Sequence, residues 1–323
     1  MKRVLITGCL GQIGSELTLR LREENGRDSV IATDIRHVAG NEVIESGPFE
    51  ILDVTDKARM MVLARKYEVD TIIHLAALLS AVAEEKPQLA WNLNMGGLIN
   101  ALEVARDLHL KFFTPSSIGS FGPKTPTANT PQDTLQRPTT MYGITKVSGE
   151  LLCDYYYQKF GVDTRGVRFP GLISYKTEPG GGTTDYAVNI YYEAIKHKSY
   201  TSFIAPGTYM DMMYMPDAIE AIIELMRAEP NQLVHRNAFN ITAMSLEPEQ
   251  IATSIRKFIP DFKMTYDIDP LRQQIADSWP DSLDASCAKN EWNFNPQYDL
   301  DKMTKDMLEK LTNKFKNVTV LKH

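Results

Sequence analysis

The chain has 323 residues, 43% hydrophobic and 24% charged, which is enough apolar material for a sizeable core and roughly two domains' worth of length. Its 35 basic and 41 acidic side chains are interspersed and leave a net charge of −6, which excludes the basic patch of a nucleic-acid binder. No run approaches the ~18 consecutive apolar residues of a membrane span, since the longest candidate, 71–83, is broken by His74 and Ser80. The start, Met1-Lys2-Arg3, enters an apolar run that stops at Thr7-Gly8, too short for a signal peptide. A cytoplasmic location is therefore expected, or the mitochondrial matrix if a transit peptide has been removed. Cys9, Cys153 and Cys287 form no C-x-x-C pair and the six histidines show no ligand spacing, so neither a disulfide framework nor a metal site is expected.

Taken in chain order, short β-branched runs alternate with helical patterns, which predicts a parallel sheet covered by helices. Strand 3–7 leads into helix 12–24, followed by strand 29–33, helix 56–67 and strand 71–74. Residues 87–108 read as a long helix, with Trp91, Met95, Leu98, Leu102 and Ala105 at three- and four-residue steps. Strand 111–114, a Pro- and Thr-rich loop to Thr140, helix 143–160 and strand 162–169 complete this half. Beyond Pro170 the pattern loosens into a glycine-rich loop, a helix from Asp185, and further elements at 216–226, 239–241, 247–258 and 299–311. The reading is an α/β Rossmann fold with a doubly wound parallel sheet over residues 1–170. A smaller C-terminal α/β domain covers 171–323 and carries the substrate, with part of 205–245 returning to the first domain.

Strand 3–7 runs directly into Gly8-Cys9-Leu10-Gly11-Gln12-Ile13-Gly14. A tight turn there brings backbone N–H groups and a helix N-terminus to a pyrophosphate with no side chain in the way. Asp34 ends the second strand 20 residues past Gly14, completing a dinucleotide fingerprint. Its carboxylate accepts from a ribose 2′-hydroxyl and repels a 2′-phosphate, so NAD is favoured over NADP although Arg36 lies close by. Asp53-Val54 suits a contact with the adenine edge; a turn-forming acid before Thr55-Asp56 is the alternative.

Tyr142-Gly-Ile-Thr-Lys146 sets two side chains one turn apart at a helix start. A lysine ammonium beside a tyrosine favours the phenolate, the state a general base requires. A hydroxyl partner is expected at the end of the preceding strand, where Ser116-Ser117 stands.

These residues carry a resemblance. Gly8-x-x-Gly11-x-x-Gly14, His74-Leu-Ala-Ala77, Ser116-Ser117-Ile-Gly-Ser-Phe-Gly122 and Tyr142-x-x-x-Lys146, in that order, resemble the extended short-chain dehydrogenase/reductases over roughly residues 1–220. The resemblance implies that Gly8, Gly11, Gln12, Ile13, Gly14, Asp34, Asp53, Leu75, Ala76 and Ala77 hold the cofactor. It selects Ser117, four residues before an aromatic–Gly pair, over Ser116. By it, Ser117 positions the substrate oxygen, Tyr142 moves its proton, and Lys146 binds the ribose and tunes the tyrosine. Asn94 resembles a recurring asparagine of the family, with a purely helical role as the alternative.

Ser80, Pro179-Gly-Gly-Gly-Thr-Thr-Asp-Tyr-Ala187, Tyr209-Met-Asp-Met-Met-Tyr-Met-Pro-Asp217 and Asp277-Ser-Trp-Pro-Asp-Ser-Leu-Asp284 resemble the family's metal-independent threonine-dehydrogenase branch. That match implies oxidation of a small amino acid held by Ser80, Thr183 and Thr184, with Gly180 to Gly182 hinging a lid. Trp279 is expected in the core. A nucleotide-sugar epimerase or dehydratase, or a dinucleotide sensor without catalysis, are the alternatives. Helices 87–108 and 143–160 carry apolar stripes wider than one sheet face requires, so a homodimer through them is expected.

Overall fold

The structure, a computed structural model, describes residues 1–176 and 182–320, with side chains to 316. Val4–Thr7, Val30–Asp34 and Thr71–His74 are buried along their whole length. This is what near-continuous apolar runs predict for strands covered on both faces. Six parallel strands lie in the order Phe49–Ile51, Val30–Asp34, Val4–Thr7, Thr71–His74, Lys111–Phe113, Thr164–Arg165. That is the Rossmann order, with the chain reversing direction across the sheet at the first strand.

Side chains alternate along each strand, and the two faces build separate cores. Val4 and Ile6 join Leu17 and Leu21 of helix Gln12–Asn25 and the apolar face of helix Met215–Arg227. Leu5, Ile31 and Ile72 join helices Lys57–Lys66, Pro87–Leu108 and Met141–Phe160 on the other face.

Where one strand from 162 to 169 is expected, the structure has two, Thr164–Arg165 and Val167–Phe169. Gly166 lies between them. A Cβ there would sit 2.7 Å from Thr114 O, and its N–H donates to Arg236 O at 3.1 Å. The chain thus steps from the main sheet into a second parallel layer, in which Ser116–Ser117 and Phe239–Asn240 flank Val167–Phe169. The edge strand Phe49–Ile51 was not expected: it is three residues long and not fully buried, so it carries no apolar run.

The remainder is a smaller mixed α/β layer. Met210–Tyr214 pairs in parallel with Gly171–Ile173 and antiparallel with Met244–Leu246, and Ser199–Ser202 pairs in parallel with Lys263–Tyr266. Helices Tyr186–His197, Pro248–Arg256 and Leu300–Val320 close a third core around Tyr186, Tyr191, Met212, Ile251 and Met307. No helix among the described residues is long and apolar enough to cross a membrane. The carboxyl ends of the sheet strands face the cleft between this layer and the Rossmann sheet, and the candidate site lies there.

Candidate active site

At the first strand end, Gly8 takes a φ of +70°, a left-handed conformation open to glycine at little cost. A Cβ on Gly8 would lie 2.9 Å from Ala76 backbone atoms, and one on Gly14 would lie 2.3 Å from Gly8 O. The turn is therefore packed to backbone contact on one side. Gly11 begins helix Gln12–Asn25 with no side-chain cap, which leaves the first helical N–H groups facing the cleft. Uncapped backbone N–H groups at a helix start, with no side chain over them, fit a pyrophosphate.

Asp34 is buried at the end of its strand. Its Oδ2 accepts from Leu10 N at 3.1 Å, so the carboxylate braces the glycine turn. Its Oδ1 accepts from Arg36 N at 3.1 Å and Arg36 Nε at 3.3 Å. The arginine that could have welcomed a 2′-phosphate is thus turned onto the carboxylate. Gly8, Gly11, Asp34, Asp53, Leu75, Ala76 and Ala77 line one cleft of about 280 Å³. Asp53 takes the turn-forming alternative. Its Oδ1 accepts from Thr55 N at 2.9 Å and Thr55 Oγ1 at 2.7 Å, closing a turn, while the residue stays exposed on the cleft wall.

The second cavity, also about 280 Å³, adjoins the first through Gly8, Gly11, Leu75 and Ala77. Gln12, Ile13, Gly14, Ser80, Ser117, Tyr142, Lys146, Thr183 and Thr184 all line it. Every expected site residue thus falls on one of two joined walls. Alternation along Ser116–Ser117 separates the two serines. Ser116 Oγ is buried and donates to Glu150, which is itself held by Arg168 at 2.8 Å. Ser117 Oγ accepts from Gly119 N at 3.1 Å and faces the cavity.

Thr140 caps helix Met141–Phe160 by accepting from Gly143 N at 3.1 Å, which puts Tyr142 on the first turn and Lys146 on the next. Gly143 is required there, because a Cβ would lie 2.2 Å from Gly119 O. A Cβ on Gly119 would meet the Tyr142 ring at 3.2 Å and Ser117 Oγ at 3.5 Å, so the three residues are immediate neighbours. Lys146 Nζ donates to Pro115 O at 2.7 Å and sits 5.3 Å from the Tyr142 ring centroid. A hydroxyl, a phenol and an ammonium therefore converge beside the dinucleotide cradle, a set suited to moving a proton on and off a substrate oxygen.

Residues 4–242 match the NAD dependent epimerase/dehydratase family. The chain belongs to that family. An uncharacterized epimerase/dehydratase of Staphylococcus saprophyticus is 62% identical over 316 residues, 98% of this chain and 99% of its own length. The solved structure of an L-threonine dehydrogenase from Clostridium difficile is 70% identical, with a TM-score of 0.96 over 97% of this chain and 98% of its own. The holo form of a GalE-like L-threonine dehydrogenase from Cupriavidus necator is 47% identical, with a TM-score of 0.93 over 96% and 99%.

As a member of the NAD dependent epimerase/dehydratase family, the chain is an NAD-dependent oxidoreductase of the short-chain type. Several residues around its site are visible only in the fold. Trp279, expected in the core, is 8% exposed and yet lines the catalytic cavity, as do Phe169, Pro170 and Leu172. Gly171 lets Thr184 approach: a Cβ would lie 2.8 Å from Thr184 Cγ2. Asn94 accepts from Leu78 N at 2.8 Å and donates to Leu78 O at 3.1 Å, so it pins the segment that walls the cofactor cleft. His74 Nδ1 and Thr7 Oγ1 share a hydrogen bond of 3.0 Å, and burial, with Lys146 nearby, pushes the histidine pKa down to about 3. It is a neutral strut beneath the site. Gly180 and Gly181 of the expected hinge lie outside the described residues, while Gly182 N–H donates to Asp185 at 2.6 Å.

Proposed function

We propose that this family member oxidises the β-hydroxyl of L-threonine to give 2-amino-3-oxobutanoate, without a metal in the reaction. The observation that carries the reading is the shared cavity, in which Ser80, Thr183 and Thr184 stand with Ser117, Tyr142 and Lys146. Three neutral hydroxyl-bearing residues suit the carboxylate and ammonium of a small zwitterion, which need hydrogen bonds from groups lining a water-poor pocket. The similarity to solved L-threonine dehydrogenases, at 70% and 47% identity, supports the same substrate.

Bound in the glycine cradle, NAD⁺ supplies the hydride acceptor. The protein's own residues handle the oxygen. Ser117 donates to the substrate hydroxyl oxygen and holds it in line with Tyr142. The Tyr142 phenolate takes the hydroxyl proton as the carbon–oxygen double bond forms. Lys146, anchored by Pro115 O, holds its ammonium beside the Tyr142 ring.

Purified protein with NAD⁺ and L-threonine is expected to release NADH in the presence of EDTA. Tyr142→Phe is expected to lower kcat by at least ~10²-fold while NAD⁺ still binds. Near-normal turnover in that variant would remove the mechanism. Absence of NADH with threonine, together with a cofactor spectral change on adding UDP-glucose, would transfer the assignment to a nucleotide-sugar epimerase.

A further inference from the structure

His235, Cys287 and Glu291 are brought together at the outer edge of the second parallel layer, with ligand atoms all within 4.8 Å of one another. None of them lines the catalytic cavity. Glu291 is fixed first. Its Oε2 accepts from Val234 N at 2.6 Å and His235 N at 3.1 Å, and its Oε1 accepts from His235 Nδ1. That bond orients the imidazole and turns Nε2 toward Asp133 and Cys287. Nε2 lies 3.9 Å from Cys287 Sγ and 3.4 Å from Asp133 Oδ2.

We propose that Asp133, His235 and Cys287 form a site for a borderline-soft divalent cation, zinc foremost, with Glu291 orienting the histidine from behind. Tetrahedral zinc with bonds of about 2.05 Å to nitrogen, 2.3 Å to sulfur and 2.1 Å to oxygen separates N from S by about 3.6 Å and N from O by about 3.4 Å. The two distances from His235 Nε2 meet those values within about 0.3 Å, the exposed Asp133 side chain turns toward Cys287 to close the set, and a carboxylate on the far imidazole nitrogen is the usual support of a metal-bound histidine. Nitrogen and thiolate donors select zinc over magnesium or calcium. Solvent reaches the site past Asp133, whose side chain is 87% exposed, so water takes the fourth position.

The same cluster also resembles a nucleophilic Cys–His–Glu set, and charge decides between the two. Asp133, Asp284 and Glu291 all act on the Cys287 sulfur. Three carboxylates gathered around one sulfur attract a dication. The ion would tie three separate segments together: the loop carrying Asp133, the approach to strand Phe239–Asn240, and helix Ser286–Trp292. Direct bonds already join them, Asp284 N to Thr130 O at 3.0 Å and Gln132 Nε2 to Ala238 O at 3.0 Å. The site therefore acts as a clamp on the scaffold, apart from the chemistry.

Cobalt(II) titration of the full-length, reduced protein tests this without reference to activity. Cys9 and Cys153 are buried, so a thiolate-to-cobalt charge-transfer band reports on Cys287. The expected result is a band that saturates at one equivalent, is displaced by zinc, and disappears in Cys287→Ser. Asp133→Asn, a change at an exposed side chain, is expected to weaken binding about tenfold or more. No charge-transfer band from the unmodified protein would overturn the proposal. So would a band of undiminished affinity in His235→Asn.

Discussion

Asp211 lies on strand Met210–Tyr214, 1% exposed, with its Oδ1 accepting from Thr242 Oγ1 at 2.8 Å. Burial raises its pKa from 3.8 to about 7, Asp281 adds repulsion, and hydrogen bonds from Thr242 and the Leu283 backbone oppose the shift. The folded state holds this proton more tightly than the unfolded chain does. Its stabilising contribution is therefore complete below the ordinary carboxylate range and is lost as pH rises through about 7. His74 works in the other direction: with its pKa lowered from 6.5 to about 3, its contribution is present above 6.5 and fades as pH falls. Asp211→Asn keeps the shape and the acceptor while removing the charge. It is expected to stabilise the protein at about pH 8, by at most about 4 kcal/mol, and to change little at about pH 4. Thermal unfolding at the two pH values checks this, and a loss of stability at the higher pH would show that the ionised carboxylate is needed. At the same scale, the sequence pattern identified Ser117 only through a family likeness. In the fold the physical reason is plain, because the buried Ser116 Oγ is engaged by Glu150 while Ser117 Oγ only accepts from Gly119 N.

Among the elements, the long ones were legible and the short ones were not. Thr71–His74 and Pro87–Leu108 fall where their apolar periodicity predicts. Phe49–Ile51 and Ser199–Ser202 have three or four residues each, with exposed positions, and the partner of the second, Lys263–Tyr266, is distant in the chain. Such strands are chosen by the sheet edge they meet and leave little pattern of their own. Helices Pro87–Leu108 and Met141–Phe160 pack on each other and on the sheet, yet Leu89, Ile99, Ile144, Leu151 and Tyr155 remain exposed along them, Leu151 by 64%. We propose that a second copy of this chain covers that face. Sedimentation is expected to give a dimer at micromolar concentration, and Leu151→Asp a monomer that still binds NAD⁺. A monomeric unmodified protein would contradict the proposal.

Over the whole molecule, order along the chain carried most of the information. A glycine turn, a strand-end acid, a strand-end serine and a Tyr-x-x-x-Lys helix start are local motifs, and a parallel sheet gathers them because all its strands end on the same side. What stayed hidden was contact between segments with no shared spacing. Trp279 reaches the cavity wall from more than a hundred residues beyond Tyr142, and Asp133, His235, Cys287 and Glu291 meet only because three segments converge. The proposed reaction is dehydrogenation of L-threonine at its β-carbon in this cavity. Incubation with NAD⁺ and L-threonine deuterated at that carbon, followed by mass analysis of the reduced cofactor, tests it most directly. One deuterium per molecule of reduced cofactor released is expected, in step with threonine consumed. Reduced cofactor without deuterium, or threonine left untouched, would contradict it.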